Sequence, residues 1–186
     1  MGSSVLVTGG TGSIGVLLCD YLTQQGFEVS ILSRKKIEKS KYKSFIWNYK
    51  KNFIEAGAFE KCEAIIHLAG AGIADTAWTP KWKKEILDSR VKTTNLLYEY
   101  LSSNKHHVKS IISASAVGYY GQVSSAKTFK EKDPPGIDFV ASVCKQWEAG
   151  VNRFSNLNIR TVNLRIGIVL MKKGGALEKM VQPFQY

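Results

Sequence analysis

Apolar positions along this chain follow two rhythms that alternate. Short runs rich in β-branched residues predict six strands, at 5–7, 27–32, 44–47, 64–68, 108–113 and 160–164. Helical spacing predicts three long helices between them, over 13–25, 80–103 and 137–154. In the second helix the apolar stripe is Trp82, Ile86, Leu97 and Leu101, with the small Thr93 between; in the third it is Val140, Val143, Trp147, Val151 and Phe154. Gly26 stops the first helix, and Thr79 followed by Pro80 starts the second as N-cap and first-turn residue. Strands alternating with helices predict an α/β fold: a doubly wound parallel sheet of the Rossmann type, forming one nucleotide-binding domain over residues 1–186. No repeat, low-complexity tract or linker interrupts the pattern. The last stretch, GGALEKMVQPFQY, starts a further element near Gly175 with little left to pack on. It predicts that the C-terminal substrate region is truncated and that Met180, Val181 and Phe184 lie on exposed apolar surface. Self-association through the uncovered edge is the expected consequence.

The first strand runs straight into glycines. Residues 5–15 read VLVTGGTGSIG, so strand, glycine turn and helix follow one another as a dinucleotide-phosphate site requires. Gly9 permits the tight turn, Gly12 lets backbone approach the pyrophosphate, and Gly15 lets helix and strand pack closely. Ser13 and Ile14 then stand at a helix N-terminus, where free N–H groups stabilise negative charge.

The second strand ends in Ser33-Arg34-Lys35-Lys36. A binder of unphosphorylated NAD places an acid there, to accept hydrogen bonds from the ribose hydroxyls. Ser33 and Arg34 instead suit a 2′-phosphate, so NADP is favoured over NAD. Leu68, Ala69 and Gly70 close the fourth strand with little bulk, as a strand end near a ligand requires. The fifth strand leads into Ser113-Ala114-Ser115-Ala116-Val117-Gly118-Tyr119-Tyr120-Gly121. Ser115 is placed to hydrogen-bond a substrate oxygen, and Tyr120, Tyr119 and Lys145 are the candidates for moving a proton. His67, inside a strand, reads as a satisfied core histidine, and His106 and His107 as helix-end cations.

Bulk properties narrow the partners. The formal net charge is +11, yet the lysines are scattered and no aromatic-basic motif accompanies them. A small-molecule substrate is expected and nucleic acid is not. No apolar run approaches the roughly 18 residues of a transmembrane helix, so no membrane role is expected. Cys19, Cys62 and Cys144 are odd in number, far apart and without metal-ligand spacing, which fits reduced thiols in a cytoplasmic protein.

TGGTGSIG at 8–15, AIIHLAG at 64–70, SASAVGYYG at 113–121 and LRIGIVL at 164–170 resemble an extended short-chain dehydrogenase/reductase. More narrowly, GIADTAWTPKWKKEILDSRVKTTNLL at 72–97, VCKQWEA at 143–149 and GIVLMKKGGALEKMVQPF at 167–184 resemble its atypical NAD-dependent epimerase-like, YfcH-like branch. The resemblance implies an NAD(P)-dependent epimerase or oxidoreductase, and a C-terminal continuation carrying a seventh strand and much of the substrate site. The superfamily's catalytic pair is a Tyr with a Lys four residues later, the Lys lowering the phenol pKa. No Tyr-x-x-x-Lys occurs in this chain. Counting back from Lys145 gives Ala141; anchoring on Glu148 puts Val140 and Cys144 at the two positions. Two functions stay open: an enzyme acting on a small substrate such as a sugar nucleotide, or a non-catalytic NADP(H)-binding regulatory or interaction module.

Overall fold

The computed structural model describes residues 3–124, 126–171, 177, 180 and 181. Its centre is a sheet of seven strands in the order β4-β3-β2-β1-β5-β6-β7. They are β1 (Ser4–Thr8), β2 (Glu28–Ser33), β3 (Lys43–Asn48), β4 (Phe53–Ile54), β5 (Cys62–His67), β6 (Ser110–Ala116) and β7 (Arg160–Ile166). All pairings are parallel except β3 with β4. The antiparallel β4 is the strand that periodicity does not predict, because two residues show no period. The three long helices are α1 (Ser13–Gln24), α2 (Pro80–Ser103) and α3 (Phe139–Asn152), the last continued by a 3-10 turn over Arg153–Leu157.

Strand alternation sends side chains to two cores. Val5, Val7, Val29 and Ile31 meet Cys19 of α1 on one face. Leu6, Leu32, Ile65 and Ile111 meet Leu97 and Leu101 of α2 and Trp147, Val151 and Phe154 of α3 on the other. Thr79 caps α2 by accepting from the Trp82 N–H at 3.2 Å, and Pro80 fills the first turn. Asp138 caps α3 by accepting from the Ala141 N–H at 2.9 Å.

Strand order reverses between β1 and β5, since the chain builds β2, β3 and β4 to one side and then returns to lay β5 against the other side of β1. A sheet of this kind opens a crevice beyond the carboxyl ends of the two strands at the reversal. The element expected from Gly175 falls largely outside the described residues, as does Phe184. Met180 and Val181 are described and are exposed.

Candidate functional site

The glycine turn between β1 and α1 forms one wall of the crevice. Gly9 has φ +72°, and a Cβ there would lie 2.9 Å from the Leu68 carbonyl carbon, so the two loops touch backbone to backbone. A Cβ on Gly15 would collide with the Gly9 carbonyl oxygen and with Gly10, which requires a bare residue where α1 meets the turn. Gly12 differs: a Cβ there would meet only the Gly9 oxygen, at 3.3 Å. The protein itself restricts this position far less than Gly9 or Gly15, so the missing bulk suits an approach from outside. Gly12 is the N-cap of α1 with no side-chain cap, and the exposed Ser13 and Ile14 follow it in the first turn. First-turn N–H groups have no intrahelical acceptor and point outward, the arrangement that binds phosphate. These residues fit a dinucleotide's pyrophosphate.

At the end of β2, Ser33 donates its hydroxyl to the Lys35 carbonyl. That bond ties down the turn, and Arg34 and Lys35 are exposed beside it. On the far side of the reversal, Thr8 Oγ1 lies 2.7 Å from His67 Nδ1 and accepts from the Ala69 N–H at 3.2 Å. His67 Nε2 lies 3.1 Å from Thr94 Oγ1. The ring is fully buried, edge-on to Trp47 and Trp147. Burial, aided by the Arg90 charge, holds its pKa down to about 3. His67 is a neutral core side chain that ties α2 to β1 through Thr94 and Thr8.

Beyond these loops lies a cavity of about 470 Å³. Ile14, Leu68 and Ser115 line it together with Arg90 of α2 and Val140, Cys144 and Trp147 of α3. The turn of α3 that faces Ser115 therefore carries Val140 and Cys144 four residues apart. This is the register anchored on Glu148, not the one counted back from Lys145. Apolar Val140 and the Cys144 thiol thus face the cavity; burial pushes the Cys144 pKa above its ordinary value. The side chain of Lys145 is exposed and does not line the cavity.

Ser115 is 4% exposed, and its hydroxyl donates to Glu148 Oε1 at 2.6 Å. Arg165 clamps the same carboxylate from β7, with Nε to Oε1 and Nη2 to Oε2, each at 2.9 Å. Register explains the meeting, since Ser115 and Arg165 are paired neighbours on β6 and β7. These bonds to Glu148 raise the Arg165 pKa further. The tyrosines belong to this network, not to the cavity wall. Tyr120 donates to the Lys130 carbonyl at 3.0 Å and accepts from Arg165 Nη1 at 2.9 Å. The Tyr119 ring lies under the Arg165 guanidinium, 3.5 Å from its carbon. Both rings are thus packed against Arg165.

Glu148, Arg165 and Arg90 went unassigned in the sequence. A signal existed for two of them: Arg90 follows Ile86 by four residues on the buried side of α2, and Glu148 follows Cys144 by four on α3. A charged residue on a buried stripe is the observation that asks for a partner.

A dinucleotide crevice at a β1/β5 reversal defines an NAD(P)-binding protein of the Rossmann class. A family model, the NAD dependent epimerase/dehydratase family, matches residues 5–143, and the chain belongs to that family. An epimerase family protein of Staphylococcus aureus strain NCTC 8325 is 34% identical over 183 residues, covering 97% of this chain and 60% of the relative. The chloroplastic SDR39U1 homolog of Arabidopsis thaliana is 35% identical over 191 residues, covering 98% of this chain and 53% of that protein. Among solved structures, human epimerase family protein SDR39U1 with NADPH superposes with TM-score 0.81 at 32% identity, over 97% of this chain and 59% of that one. The nucleoside-diphosphate sugar epimerase of Corynebacterium glutamicum gives TM-score 0.82 at 29% identity, over 99% and 38%. The chain spans about 60% of the length of the Staphylococcus aureus relatives it matches. No described helix is long and apolar enough to cross a membrane.

Proposed function

We propose that this chain binds NADP(H) and forms the cofactor-holding part of an epimerase-like oxidoreductase acting on a small hydroxyl- or carbonyl-bearing molecule, such as a sugar nucleotide. The observation that carries the reading is one cavity bounded by Ile14 of the phosphate turn, Leu68 of the β5 loop and the Ser115 hydroxyl. The exposed Arg34 and Lys35 at the end of β2 favour the 2′-phosphate, and NADPH accompanies the human relative in its crystal structure. Buried free thiols at Cys19, Cys62 and Cys144 support a reducing compartment, the cytoplasm.

A bound nicotinamide supplies hydride transfer. The chain's own part is orientation and the proton. Ser115 has committed its hydrogen to Glu148 Oε1, so its lone pairs are what it offers to the cavity. A substrate hydroxyl would donate to Ser115 Oγ. Its proton would move there as the serine's own proton passes to Glu148. Arg165 holds that carboxylate in place throughout.

Calorimetry tests the cofactor. A charge-assisted phosphate contact is worth roughly 1.5–3 kcal/mol, so NADPH should bind about 10- to 150-fold tighter than NADH, with the gap shrinking in Arg34→Ala. Equal affinities would refute the assignment. Oxidation of NADPH by some member of a carbonyl panel, lost in Ser115→Ala, tests the chemistry. Val140 and Cys144 at the dyad positions favour a second reading, a binding module that transfers no hydride. Cofactor binding without turnover, in this chain and in its longer relatives, would select it.

A further inference from the structure

Arg90 stands on the cavity wall beneath the loop that follows β5. It is packed so closely there that a Cβ on Gly70 would come within 2.9 Å of Cζ. Nη1 donates to two carbonyls, Ile86 at 2.9 Å and Ala71 at 3.0 Å. The guanidinium carbon lies 5.3 Å from the centre of the Trp147 ring. Among the described residues no carboxylate pairs with this cation, and its Nε and Nη2 make no hydrogen bond. Asp75 lines the same cavity, but its carboxylate is exposed, lies against Gly72 and makes no ion pair with Arg90. The indole N–H of Trp147 is a second donor without a partner, on a cavity-lining side chain only 5% exposed.

The same molecule shows what this arrangement recognises. Arg165 sends Nη1 to two oxygens, those of Tyr120 and Glu131, and presents Nε and Nη2 side-on to both oxygens of Glu148. Arg90 also has Nη1 bound to two oxygens. Its remaining edge carries the two parallel N–H groups that match a carboxylate. Arg90 is half-buried, and a ligand carboxylate on its free edge would gain a charge-assisted, two-pronged pair in place of hydration.

We propose that the cavity takes a small organic acid whose carboxylate pairs side-on with Arg90, its apolar body lying against Ile86, Val143 and Trp147. This rests on the cavity being the substrate site of an NADP(H)-binding protein, as proposed above. Two features favour a substrate carboxylate over a cofactor phosphate. The phosphate-binding turn at Gly12–Ile14 already provides for the pyrophosphate. The negative charge of Asp75 at the cavity also disfavours a doubly charged group more than a singly charged one.

Benzoate and benzamide share a shape and differ in charge, so they serve as probes. Each is titrated by calorimetry into the chain with and without saturating NADPH. Benzoate should bind at least tenfold tighter than benzamide. Arg90→Met should remove that preference while leaving NADPH affinity within twofold; Arg90→Lys, which keeps the charge but not the fork, should keep only part of it. No preference in the parent chain overturns the proposal without recourse to any variant. A tenfold loss of NADPH affinity in Arg90→Met, with benzoate preference unchanged, overturns it in favour of a cofactor contact. Failure of the parent to bind NADPH would refute the cofactor reading alone, because the cofactor-free titration still reports on Arg90.

Discussion

Glu148 accepts hydrogen bonds from Ser115 and Arg165 at once, and it is 8% exposed. A buried carboxylate in that position depends on its cation. Removing one partner of a buried pair leaves an uncompensated charge and costs roughly 3–5 kcal/mol. Arg165→Met should therefore lower the unfolding free energy by about that much in urea titration, and a loss below about 1 kcal/mol would show that water already compensates Glu148. Gly12 makes the opposite case. Its Cβ would meet one protein atom within 4 Å, the Gly9 carbonyl oxygen at 3.3 Å, which must give slightly, so Gly12→Val should melt within a few degrees of the parent yet fail to bind NADPH. Normal binding would remove the pyrophosphate from the glycine turn. His67 sets a pH dependence. Its pKa is about 3 in the folded chain and near 6.5 unfolded, so only the unfolded chain takes up the proton between those values. Stability is fully present above pH 6.5 and falls as pH drops, by about 1.4 kcal/mol per unit from this group. His67→Gln should flatten that part of the profile; an unchanged slope between pH 6 and 4 would place it elsewhere.

At the scale of elements, the strands and helices follow from periodicity because each carries an apolar stripe long enough to show its period. β1 and α1 are bounded by the glycine turn, and α2 by Thr79-Pro80, so even their starts were legible. The strand β4 was not, and neither were the partners of Ser115. Those come from β7 and from the middle of α3, and only sheet register brings Arg165 beside Ser115. The catalytic question shows the same limit. Absence of Tyr-x-x-x-Lys is a fact of sequence, but which residues replace the pair depends on the turn of α3 that faces β6. The structure turns Val140 and Cys144 inward and leaves Lys145 outside. The start of α3 fixes that turn. Asp138 accepts from the Ala141 N–H and, through its other oxygen, from the Gln122 N–H at 2.7 Å, joining the helix to the loop after Tyr120. These bonds hold its carboxyl below the usual range. Asp138→Ala should cost about 1 kcal/mol in stability, the ordinary worth of an N-cap. It should also speed amide exchange at Gln122 as well as at Ala141. Unchanged exchange at Gln122 would mean that the loop is held without Asp138.

The whole molecule is covered unevenly. Helix α1 packs against β1 and β2, while α2 and α3 bury the other face of the sheet. On β6 and β7, Ile112 pairs with Val162 and Ala114 with Leu164. None of the four is buried among the described residues, and Leu164 is 46% exposed. β7 also ends the sheet, with β6 its one partner among the described residues. An apolar sheet face beside an unpaired strand edge offers both hydrophobic area and backbone hydrogen bonds to another chain. We propose that the self-association expected from the sequence uses this surface, with a second copy of the chain as its occupant. Light scattering across a concentration series should show mass rising above the 20.7 kDa of one chain. Leu164→Lys places a charge in the middle of that face without touching the Ser115–Glu148–Arg165 network on the opposite side, so it should return the mass toward one chain while NADPH binding persists. A parent chain that stays monomeric at every concentration would show that this face is satisfied within the single molecule.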